Sequence, residues 1–72
     1  MISRYFVSAG SRQVHFGAPG DSYHAANCDK PELAVRLLSD AMWLNDRDRK
    51  YTAAARKIAE AETLPGFKWV QP

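Results

Sequence analysis

With 72 residues, the chain has room for one domain, and a chain of this size buries only about 60% of the surface its unfolded form exposes. A hydrophobic fraction of 46% with 25% charged residues is ordinary for a folded globular protein and argues against a disordered tail, and the longest apolar run, residues 41–44, falls far short of the roughly 20 residues that span a bilayer. Net charge is only +2, a smaller excess than a dedicated nucleic-acid binder usually carries.

The first third reads as a hairpin. Residues 2–9 and 12–16 are rich in β-branched and aromatic types and flank Gly10-Ser11, which suits a two-residue type II′ turn. Pairing Ala9 with Arg12 sets Val7 against Val14 and Tyr5 against Phe16, so turn chemistry and side-chain alternation predict one core face. The other face carries Arg4, Phe6, Ser8, Gln13 and His15. Phe6 between Arg4 and His15 suggests a surface on which a base stacks while cations hold its backbone; the plainer expectation is that the C-terminal tail half covers Phe6. Residues 17–21, Gly-Ala-Pro-Gly-Asp, break the chain as a turn, since neither a P-loop lysine nor a helix follows. Residues 22–28 then suit a third antiparallel strand.

Cys28 is the sole cysteine, which excludes an internal disulfide and, with a first segment unlike a secretory signal, predicts a reducing, cytoplasmic setting. It stands before a helix start with His24 four residues earlier. On a strand the two would be about 13 Å apart at 3.3 Å per residue, beyond hydrogen-bond reach, so a small buried cysteine is expected rather than a nucleophile. A metal site from His15, His24 and Cys28 has no recognised spacing and needs a fourth ligand such as Asp21. No cofactor is implied.

Asp29 as N-cap, Glu32 three residues on and Pro31 in the first turn start a helix over about residues 31–45. Its core face is Leu33, Ala34, Leu37, Leu38, Ala41 and Leu44. The absence of Gly or Pro up to Glu62 allows one continuous helix, about 48 Å long at 1.5 Å per residue, which this little chain cannot cover. A break at Asn45-Asp46 and a second helix over residues 47–62, folded back on the first, is the better solution. Tyr51, Ala54, Ala55 and Ile58 form its apolar stripe, with Arg49, Lys50, Ala53, Arg56 and Lys57 about 180° away. Five cations, Arg47, Arg49, Lys50, Arg56 and Lys57, against Asp48 give +4 over residues 47–57 and leave −2 elsewhere. A solvated helix surface is the plain reading of this stripe; an acidic partner, nucleic acid or protein, is the sharper one. Leu64-Pro65-Gly66 ends the helix, and Phe67-Lys68-Trp69-Val70 is an aromatic tail that adds a strand or clamps the helices.

Val35, Met42 and Trp43 lie off the main apolar face of the first helix and need a second neighbour. Either the second helix and the tail cover them, or they form an exposed patch of the kind enriched at protein interfaces.

Residues 26–34, Ala-Asn-Cys-Asp-Lys-Pro-Glu-Leu-Ala, continuing through Leu37 and Ala41 to Leu44-Asn45, resemble a pattern in small, mostly unassigned phage and prophage proteins, where a strand leads into a helix ending in Leu-Asn. The resemblance covers about 20 of the 72 residues and is structural. It implies an accessory protein acting by binding, with host takeover or anti-defence inhibition among its roles, and it carries over no functional residues.

The expectation is therefore an α+β domain, an antiparallel hairpin or three-stranded sheet over residues 1–28 packed on two antiparallel helices within 31–62, with a tail over 63–72. The expected function is non-enzymatic protein binding, to a host protein or a second copy, through Val35, Met42, Trp43, Phe67 and Trp69. The alternative is nucleic-acid binding through the basic residues.

Overall fold

Strand β1 (Arg4–Val7) pairs antiparallel with β2 (Gln13–Ala18), with Tyr5 opposite Phe16 and Val7 opposite Val14, the register read from the sequence. The computed structural model describes residues 2–70. The connection differs from the expected turn. Ser8 N–H donates to the Gln13 carbonyl at 3.1 Å, and the chain reverses one residue earlier, where Ser11 N–H donates to the Ser8 carbonyl at 3.0 Å. The Ser11 hydroxyl adds a second bond to that carbonyl at 2.8 Å and accepts from Gln13 N–H at 3.1 Å. A short hydroxyl side chain offers the backbone local partners that a two-residue turn would forgo. The register survives because Gly10, at φ +70°, still supplies the left-handed residue.

Pro19-Gly20 joins β2 to β3 (Asp21–Asn27). Gly20 lies at φ +80°, and Pro followed by a left-handed Gly is the pattern of a type II turn. Between the pairs Val14–Ala26 and His15–His24 the register shifts by one, so Ala25 is an extra residue on β3. This bulge puts Tyr23 and Ala26 on the same side of the sheet, opposite Phe16 and Val14, where Ala26 is buried together with Ala25 and Tyr23 stays exposed. Two residues of the tail form β4 (Lys68–Trp69), antiparallel to Ala26 and Asn27. The sheet thus has four strands in the order β1-β2-β3-β4, and the tail adds to the edge opposite β1 instead of covering Phe6.

Helix α1 (Pro31–Asp46) begins where Pro31 predicts, but Asp29 does not cap it. Lys30 holds the cap position without a side-chain bond. Asp29 instead donates its N–H to the Pro65 carbonyl at 3.0 Å and sets its carboxylate 3.5 Å from Arg12 and against Gly66. It ties the hairpin, the start of α1 and the exit of α2 together. The inward face is Ala34, Leu37, Leu38 and Ala41, while Leu33, expected inside, is exposed.

The break falls at residues 47–50, later than Asn45-Asp46, and α2 spans Tyr51–Glu62. Lys50 N–H reaches back to the Leu44 carbonyl at 2.8 Å, and Arg49 sits at φ +55°, a tight reversal that the L-residue adopts at some cost. The fold is α+β: α1 lies on β1 and β2, and α2 packs mainly on α1. Val14, Ala26, Cys28, Ala34, Leu37, Leu38 and Ala61 form the core. No helix among the described residues is long and apolar enough to cross a membrane.

Candidate functional site

Only Ala54 and Ala61 of α2 are fully buried. Small residues let the two helix axes approach, so α2 is drawn onto α1 and away from the sheet. The expected stripe of Tyr51, Ala54, Ala55 and Ile58 is therefore buried only at Ala54; Tyr51 is 61% and Ile58 37% exposed. These side chains line a groove of about 380 Å³ between α2 and the inner sheet face, within the size range of small ligand pockets. Tyr5 and Phe16 form its floor, Trp69 one flank, and Leu38, Ala41 and Met42 the α1 wall; Asn45 and Asp46 stand among its polar margins.

The floor is ordered by ring packing: Tyr5 and Phe16 have centroids 4.6 Å apart at 53°. Trp69 is held by two contacts. Its Nε1–H donates to Glu62 Oε2 at 2.6 Å, and Phe67 meets it edge-on at 5.1 Å. Burial raises the Tyr5 pKa above 10.0, and Tyr23 and Asp46 push it the same way. The unfolded chain therefore ionises first, and this contribution to stability is complete below pH 10 and is lost as pH rises through the folded-state pKa. Denaturant midpoints measured at about pH 9 and about pH 11 should fall less in Tyr5→Phe than in the parent; an equal fall would mean that Tyr5 titrates as in the unfolded chain.

Of the five expected anchors, Met42 and Trp69 meet at the groove. Val35 and Phe67 are partly buried against the core and support it. Trp43 is exposed on another side of α1, with the Arg47 guanidinium 4.7 Å over its ring, and it shares a shallow hollow with Ile2 and Met42. The basic residues do not form one helix face. Arg47, Arg49 and Lys50 precede α2, Arg47 bonds Asp48 at 3.2 Å, and Lys57 is half-buried in a hollow with Asp40 and Trp43. Arg56 alone projects freely from the helix.

Cys28 is buried, with its thiol 3.6 Å from the Pro65 carbonyl. His24 faces outward and bonds Ala26 O and Asn27 Oδ1, so cysteine and histidine are not brought together. No group of three or more metal-ligating side chains occurs among the described residues.

Tyr51 and Ile58 were legible as apolar positions of α2, but as core. The available signal was the alanine at 54 and 61, which marks the tighter interface. No family model matches the chain, and neither a curated protein nor a solved structure is similar to it.

Proposed function

We propose that this chain is a small non-enzymatic protein-binding module that seats an apolar segment of a partner in the groove between α2 and the sheet. The observation that carries this reading is the groove itself, whose open apolar wall includes Tyr51 and Ile58. Exposed aromatic and aliphatic side chains around a concave site are what anchor residues of a partner fill. Asp46 is the charged residue that lines the groove, while Arg49 and Lys50 immediately precede Tyr51 and are exposed outside it, which favours a segment whose acidic residues flank its apolar anchors at the Tyr51 end and steers its approach. A second copy would bring the same cations to the same place. The resemblance to small phage proteins fits a module that inhibits or modulates a larger protein by occupying one of its surfaces, and the lone buried Cys28 fits a cytoplasmic setting.

Selection of random linear peptides on the immobilised protein tests this. Enriched sequences should pair two bulky apolar residues with an acidic flank and should shift the emission of Trp69 in a Trp43→Phe background. Ile58→Glu places a charge on the groove wall at a position already open to solvent and should weaken those peptides at least tenfold, about 1.4 kcal/mol. Equal binding to Ile58→Glu, or no enrichment, would sink the reading.

A further inference from the structure

The face of the sheet away from the helices carries a second candidate surface, independent of the groove. The strand pairing sets Phe6, His15 and His24 side by side across β1, β2 and β3. Their rings stack: Phe6 on His15 at 5.6 Å and 24°, His15 on His24 at 5.3 Å and 16°. Hydrogen bonds lock both histidines, His15 Nε2 to Gln13 Oε1 at 3.1 Å and His24 Nε2 to Ala26 O and Asn27 Oδ1 at 3.1 and 3.0 Å. Nearly parallel planes do not converge on a shared point, so the pair is built for stacking rather than for chelating one ion.

The stack is unfinished at its β1 end. β1 is an edge strand, so the outer side of Phe6 has no cross-strand ring. Beside it lies a hollow of about 360 Å³ lined by Arg4, Phe6, Gly17, Pro19 and Ser22. Gly17, paired with Arg4 and Ser22, contributes only backbone to this hollow. By the same pairing the face carries Arg4 and Lys68 as cations and Gln13, Ser22 and Asn27 as hydrogen-bonding groups, and among the described strand residues on it there is no carboxylate.

We infer that this outer face binds single-stranded nucleic acid, with one base stacked on the ring-free side of Phe6, and with Arg4, at the rim of the hollow, on its phosphate. Aromatic side chains stack bases of any sequence, and cations hold the backbone that joins them. Four strands about 4.8 Å apart give a face for about three or four nucleotides. A duplex keeps its bases stacked inside and cannot use Phe6; an acidic protein surface would use the cations but not the ring.

Fluorescence anisotropy with labelled oligo-uridine and oligo-thymidine of about twelve nucleotides, against a duplex of equal phosphate count, separates these occupants at about 50 and 200 mM salt. Both single strands should bind more tightly than the duplex, and preference for one of them names RNA or DNA as the ligand. Phe6→Ala should weaken binding about tenfold. Arg4→Gln, at an exposed edge position that does not put folding at risk, should lower the salt slope by about one. Arg56→Gln with Lys57→Gln should change nothing. Absence of binding at the lower salt, equal affinity for the duplex, an unchanged salt slope in Arg4→Gln, or loss of binding on neutralising Arg56 and Lys57 would each overturn the inference.

Discussion

Gly17→Ala should lower the stability of this protein by about 3 kcal/mol, and the thermal midpoint by about 15 °C. Two effects act at one position. Gly17 has φ +143°, where an L side chain is strained. An added Cβ would lie 2.5 Å from the Asp21 carbonyl oxygen and 2.6 Å from Ser22 Cα, both backbone atoms of the paired strand, which move only if the β2–β3 hairpin opens. A chain of this size holds a total of about 4 to 11 kcal/mol, so the loss is a large share of it. Gly10→Ala separates the two effects. Gly10 has φ +70° with open space around its missing Cβ, and its cost should be the backbone part alone, about 1 kcal/mol. Thermal unfolding followed by circular dichroism reads both variants, and equal midpoints would show that the crowding at Gly17 is relieved at little cost.

Gly17 also shows where the sequence stops being legible. Pro19-Gly20 and the alternation around it mark a turn between strands, and the register of β1 on β2 follows from the turn at Gly10-Ser11 together with the alternation of Tyr5, Val7, Val14 and Phe16. What no pattern marks is the extra residue at Ala25, because a bulge moves one side chain across the sheet without changing composition. His24 and His15 come to stack through that shift, and so the three-ring ladder was legible only as far as Phe6 and His15. Asp29 misleads for a related reason. Asp-Lys-Pro-Glu has the form of a helix cap, yet Arg12 and the Pro65-Gly66 segment, distant in sequence, offer Asp29 partners that local reasoning does not see.

The groove was hidden by a question of rotation. Periodicity identifies which residues of α2 are apolar, and it does so correctly for Tyr51, Ala54, Ala55 and Ile58. It does not say which neighbour the stripe faces. The answer depends on how close α1 permits α2 to come, and Ala54 and Ala61 permit a close approach that holds Ile58 off the sheet. Two of the expected anchors, Met42 and Trp69, therefore lie together for a reason the sequence reading did not use: they border a space that α2 leaves open.

That arrangement makes a comparison of two aliphatic truncations decisive. Leu38 is 2% exposed and belongs to the core on the α1 wall, so Leu38→Ala should cost about 3 kcal/mol through lost transfer energy and the cavity left behind. Ile58 has the same number of carbons but stands 37% exposed on the facing wall, so Ile58→Ala removes less covered surface and should cost about half as much, about 1.5 kcal/mol. Urea denaturation gives both values with a common slope. If the two costs proved equal, α2 would be closed on the sheet in solution and there would be no groove to fill. If Leu38→Ala proved cheap instead, its cavity would be merging with the groove and filling with water, and the peptides that bind there should then tolerate a bulkier anchor in that variant.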